Sequence, residues 1–157
     1  KEVIAALNEV HKENIIHRDI SPDNIMVTRE GRAKVIDFGA AKEYHSGKDN
    51  SILLKHGYAP IEQYDAHGKQ GPWTDVYSLC GSIFYLLTGR KPQRAYERVS
   101  EDKMVSLRQM GVHISEEKSQ AVEKGLSVQI EDRYQQMADL YYDLYGETLS
   151  GEMGKQS

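Results

Sequence analysis

A single cysteine, Cys80, stands in 157 residues, so no disulfide framework is available and the chain suits a reducing compartment. No apolar run approaches the roughly 20 residues of a membrane span, and the first residues lack the order of a signal peptide. A cytoplasmic location with no membrane contact within this chain is therefore expected, with a membrane anchor elsewhere in the full-length protein left open. Basic excess is missing as well: the formal net charge is −4, which gives no electrostatic footprint for nucleic acid. The six histidines are scattered without a Cys/His cluster, so His11 and His17 read as structural or solvated residues and not as a metal pair. Internal repeats and low-complexity tracts are absent too.

Apolar residues make up 39% of the chain, enough for the core of one ordinary domain. Val3, Ile4, Leu7 and Val10 recur at helical spacing, so the chain opens in an amphipathic helix. It begins with Lys1 and not with an initiator Met, which points to a piece of a longer protein. The short runs Ile25-Met26-Val27 and Ala33-Lys34-Val35-Ile36 flank Arg29-Glu30-Gly31 and read as a hairpin. Residues 40–57 are polar with few anchors and read as one long loop. A strongly apolar helix is expected from Trp73 to Leu87, with Gly89 placed to end it. Further helices are expected near 101–110, 116–126 and 134–145. Met137, Leu140, Tyr141 and Leu144 form a stripe on the last of these, read as core and not as a ligand platform. Residues 150–157 read as a polar, disordered tail. The expected class is mainly α with a small β-hairpin.

The segment Ile16 to Asn24, IHRDISPDN, carries the chemistry, together with Asp37-Phe38-Gly39 beyond the hairpin. It offers one proton acceptor, Asp19, and two oxygen ligands, Asn24 and Asp37, on loops that the hairpin brings together. A hydroxyl attacking a γ-phosphate must be oriented and must lose its proton late, which asks for a carboxylate within hydrogen-bond reach. Magnesium takes hard oxygen ligands beside phosphate oxygens, which a carboxylate and an amide oxygen can complete. Either triplet alone is a weak signal. Both in order, with Asn24 five residues after Asp19, argue against chance strings.

These motifs resemble the catalytic loop and DFG segment of protein kinases. The string GYAPIEQY resembles the end of an activation segment, TDVYSLCGSIFYLLTGRKP the central helix of the larger lobe with its leading Asp, and EDRYQQM the late motif carrying an Arg. The whole run looks like the C-terminal lobe of a eukaryotic-like Ser/Thr protein kinase of the kind found in bacteria, spanning 1–149. The resemblance implies ATP and Mg2+ as cofactors and a protein substrate. It implies Asp19 as the base, Asn24 and Asp37 as magnesium ligands, Met26 under the adenine ring and Ile36 at the pocket floor. His17, Phe38 and Gly39 are implied to pack and orient the site. Asp75 is implied to accept hydrogen bonds from the catalytic-loop backbone, and Glu62 with Arg133 to form a buried ion pair anchoring the activation segment. Surface charge is the alternative for these carboxylates. Arg18 resembles the Arg that often pairs with a phosphorylated activation-loop residue; Ser51 or Ser46 is the expected phosphosite, with Tyr44 a third candidate.

Two positions depart from the family pattern. Ser21 stands where Ser/Thr kinases carry a Lys that neutralises the γ-phosphate, and Lys55 stands where they carry a Thr near the catalytic Asp. One expectation is that Lys55 supplies the displaced cation; the other is that Ser21 marks a weak or dead kinase acting as a binding or scaffold module. A small-molecule phosphotransferase of the aminoglycoside kind is a further alternative, disfavoured by the full DFG and the APIEQ ending. No Gly-rich loop, strand Lys or helix Glu of an N-terminal lobe is present. The missing lobe is thus an expected partner, and the chain alone is expected to bind nucleotide weakly and to have little activity. The face it leaves near Met26 and Ile36 is expected to be open to self-association.

Overall fold

Apolar residues one helical turn apart give the first element, α1 (Glu2–Lys12), which buries Val3, Ile4 and Leu7. In the computed structural model residues 1–36, 42–43 and 56–149 are described, and the tail assigned to 150–157 lies outside them. After α1, Asn14 takes left-handed backbone at φ 60°, a conformation that Asn tolerates better than most residues. It turns the chain into β1 (Ile15–Ile16).

The hairpin forms as β2 (Ile25–Val27) and β3 (Ala33–Val35), antiparallel, with Ile25 opposite Val35 and Val27 opposite Ala33. Its turn is closed by Thr28 N–H donating to the Arg32 carbonyl at 2.7 Å. The polar stretch 40–57, expected as loop throughout, contributes a two-residue strand, β4 (Lys42–Glu43), antiparallel to β1. Strand pairing satisfies backbone N–H and C=O groups whatever the side chains are, which is why polar composition alone missed it.

Helix α2 (Pro72–Thr88) is the axis of the core, with every residue from Thr74 to Ser82 buried. Pro72 suits the first helical position, where its missing N–H is no loss. Gly89 ends the helix at φ 74°, its N–H donating to Tyr85 O at 2.7 Å; the left-handed cap favours glycine. α4 (Glu116–Gly125) starts at Ser115, whose Oγ accepts from Lys118 N–H at 3.2 Å. A Cβ on Gly125 would overlap Cys80 Sγ, so glycine here lets α4 lie against α2. Burial pushes the Cys80 thiol up to about 12, leaving it protonated and unreactive.

No helix covers 101–110. The helix of this region is α3 (Ala95–Ser100), and side chains hold the following residues extended. Gln93 Nε2 donates to Glu101 O at 3.0 Å, Lys103 N–H to Gln93 Oε1 at 2.8 Å, and Met104 N–H to Asp102 Oδ1 at 3.0 Å. Such bonds offer the backbone an alternative to helix. The last helix, α5 (Met137–Tyr145), starts three residues later than the periodicity suggests because Arg133 is extended at ψ 160° after a 3₁₀ turn, Ile130–Asp132. α5 packs on α1 and α4, burying Met137, Leu140, Tyr141 and Leu144 in the same core as α2. Among the described residues no helix is long and apolar enough to cross a membrane.

Candidate active site

Asp75, in the first turn of α2, is wholly buried and organises the loop that follows β1. Its Oδ2 accepts from His17 N–H at 2.8 Å and its Oδ1 from Arg18 N–H at 3.0 Å. His11 Nε2 from α1 meets Oδ2 at 2.7 Å. The N-terminus of α2 favours a negative charge here as well. Arg18 is held in left-handed backbone at φ 72°, which costs about 1–3 kcal/mol for a residue with a Cβ. Each hydrogen bond to a charged group contributes about 1.5–3 kcal/mol, so the two bonds to Asp75 outweigh the strain. Ile20, next in the loop, is sunk in the apolar core and fixes its far end.

His17 ties this loop to the hairpin. Asp19 N–H donates to His17 Nδ1 at 3.1 Å, so Nδ1 is the acceptor and Nε2 carries the proton it gives to Ile36 O at 2.9 Å. The hairpin closes on the same loop, with Ile36 N–H donating to Asn24 O at 2.8 Å. Asp19 is partly exposed. The Asn24 amide nitrogen donates to the Asp19 carbonyl and, at 3.3 Å, to Asp19 Oδ2. Two acceptors on one side require the nitrogen there, which turns the amide oxygen, the atom a hard cation takes, away from them. This half of the donor set therefore fits magnesium. Among the described residues no cluster of three or more His, Cys, Asp or Glu competes with it, and His11 and His17 are engaged separately.

The 3₁₀ turn Ile61–Gln63 is anchored by Glu62 and Arg133. Arg133 Nη1 lies 2.7 Å from Glu62 Oε2 and Nη2 lies 3.2 Å from Oε1, with both side chains nearly inaccessible. The remaining donors reach carbonyls: Nε to Ser127, Nη1 to Trp73 and Nη2 to Val128. All five guanidinium donors are thus used. Thr74 Oγ1 adds a bond to Glu62 Oε2 at 2.9 Å. Surface charge does not describe Asp75, Glu62 or Arg133, which are all buried.

The other candidates distribute as follows. Met26 is 53% exposed beside Val27 at 66%, forming an apolar edge on β2, while Ile36 is half-buried. Ser21, within the loop, is buried. Asp37, Phe38, Gly39, Tyr44, Ser46, Ser51 and Lys55 lie outside the described residues. Two contributors were not singled out from the sequence: Thr74, described above, and Gln63, whose Nε2 donates to Arg18 O at 3.0 Å. His11, read there as structural or solvated, is buried and structural. A signal existed for Thr74, since a polar residue inside an apolar helix needs a partner.

A helical lobe whose buried helix carboxylate holds an HRD backbone, with a hairpin behind it, is the C-terminal lobe of a protein kinase. The protein kinase domain model matches residues 1–143, and the chain belongs to that family. It is 31% identical to serine/threonine-protein kinase F of Synechocystis sp., over 98% of this chain and 31% of that protein. It is 33% identical to serine/threonine-protein kinase PknB of Mycolicibacterium smegmatis, over 91% of this chain and 25% of that one. A solved structure of PpkA-294 in its apo form matches with TM-score 0.77 and 36% identity, over 90% of this chain and 50% of that one. The chain thus spans a quarter to a half of the length of these relatives.

Proposed function

We propose that this chain is the catalytic and substrate-binding lobe of a kinase that transfers the γ-phosphoryl group of ATP to Ser or Thr of a protein. The observation that carries the reading is the clamp of Asp75 on the His17 and Arg18 amides, which fixes the backbone bearing Asp19. Asp19 orients the substrate hydroxyl and takes its proton as the oxygen–phosphorus bond forms and ADP leaves. Asn24 and Asp37 would hold magnesium, which would supply charge neutralisation at the phosphates. Met26 and Ile36 form the floor for adenine, and Lys55 provides the cation that Ser21 does not. A phosphate on Ser46 or Ser51 would meet Arg18 through charge-assisted bonds.

Protein kinases bind ATP between two lobes, and the relatives extend well beyond the matched region. We therefore assign the exposed Met26 and Val27 to a surface covered by a preceding lobe, and expect the 157-residue chain alone to bind nucleotide weakly and to self-associate.

The test is Mg-ATP-dependent phosphorylation of a protein substrate by the complete kinase. Asp19→Asn should reduce turnover by about 10²-fold or more, and Lys55→Ala should lower kcat. Equal turnover by wild type and Asp19→Asn, or phosphorylation of aminoglycosides and not proteins, would overturn the reading. Unchanged kcat in Lys55→Ala would remove only the role given to that cation.

A further inference from the structure

We propose that Gln63 is a positioning residue for phosphoryl transfer, holding the peptide that bears Asp19 in its working orientation; this rests on the kinase reading above. The peptide unit between Arg18 and Asp19 is gripped at both ends. Its N–H, on Asp19, donates to His17 Nδ1 at 3.1 Å. Its carbonyl, on Arg18, accepts from Gln63 Nε2 at 3.0 Å. A carbonyl can only accept, so the amide nitrogen of Gln63 must face it.

The grip has work to do because Arg18 is left-handed at φ 72°. The easiest relaxation of such a residue is rotation of the following peptide plane, which would swing the Cα–Cβ direction of Asp19. Asp75 holds only the N–H groups of His17 and Arg18, before that plane. Gln63, buried, holds the oxygen of the plane itself. It also stands next to Glu62 in one 3₁₀ turn, Ile61–Gln63. Adjacent side chains of that turn reach in two directions, Glu62 to Arg133 and Gln63 to Arg18. Seating the activation-segment end on Arg133 therefore places the donor that fixes the catalytic loop.

The experiment compares kcat and KM in the complete kinase for Gln63→Met, which keeps the volume and removes the donor, and Gln63→Glu, which sets an acceptor against the carbonyl. Gln63→Met should lower kcat about tenfold, as for a small displacement of a catalytic group. KM for ATP should stay within about twofold, and Gln63→Glu should fall further. A residue that only fills space would be replaced by Met without loss. If Gln63→Met fails to fold, Gln63→Asn, one methylene too short to reach Arg18 O, gives the same readout. Wild-type kcat in Gln63→Met, alongside loss in Asp19→Asn, overturns the positioning role and leaves the kinase reading standing. No turnover by the wild type overturns both.

Discussion

Asp75 and Glu62 are both buried carboxylates, and Thr74 links them, adjacent to Asp75 in sequence and hydrogen-bonded to Glu62. Their partners differ. Asp75 faces two backbone amides and the His11 ring, while Glu62 faces a guanidinium whose five donors are all engaged. A carboxylate among amide dipoles spends its charge on direction: each bond fixes a peptide plane, and the loop between β1 and β2 inherits its shape. A carboxylate opposite a buried guanidinium spends its charge on neutralisation, and its removal leaves an ion without compensation. The first region should therefore control geometry and turnover, and the second whether the lobe stays folded.

The largest effect is expected at the second region. Arg133→Ala strands Glu62 and removes the donors to Ser127, Val128 and Trp73 carbonyls, so denaturant unfolding should show a loss of about 3–5 kcal/mol. Domains of this kind have only about 5–15 kcal/mol to lose. A cost for Arg133→Ala no greater than for a change at Asp75 would break the contrast.

Asp75→Asn comes next. One amide oxygen can replace only one of the two acceptors, and the new N–H₂ confronts a backbone N–H. The stability loss should be about 1–3 kcal/mol, while kcat of the complete kinase should fall about 10²-fold through misplacement of Asp19. Full turnover in a folded Asp75→Asn protein would show that Asp75 is an anchor of the same kind as Glu62.

Much of this contrast was legible in the sequence, and the reasons are specific. Asp19, Asn24 and Asp75 stand in strings with fixed order and spacing, and Glu62 and Arg133 in two more. The long apolar run before Gly89 gave α2 because burial on every face from Thr74 to Ser82 leaves a composition signal, although Leu86 and Leu87 at its end are exposed. The polar segment 101–105 was misread because Gln93 and Asp102 bind its backbone, and no periodicity reports such bonds. β4 was missed because its pairing uses main-chain groups alone. Gln63 was missed, and the partner of the structural His11 was not named, for a related reason: the Arg18 carbonyl and Asp75 lie 45 and 64 residues away. The resemblance named the charged ends of the network, and folding was needed to reveal the side chains that connect them.

Thr74 offers the smallest and most discriminating change, because it neighbours Asp75 in sequence but bonds to Glu62. Its Oγ1 donates to Glu62 Oε2 at 2.9 Å and accepts from Gly71 N–H at 3.1 Å. Thr74→Val keeps the shape and removes both bonds, while the salt bridge and the Asp75 clamp retain their own partners. The expected loss is about 1 kcal/mol of stability, read as a shift in denaturation midpoint at constant slope, with kcat unchanged. A fall in kcat without a fall in stability would place Thr74 with the catalytic loop. The two carboxylates would then act through one shared hydroxyl, and the division between a region that sets geometry and one that sets stability would no longer hold.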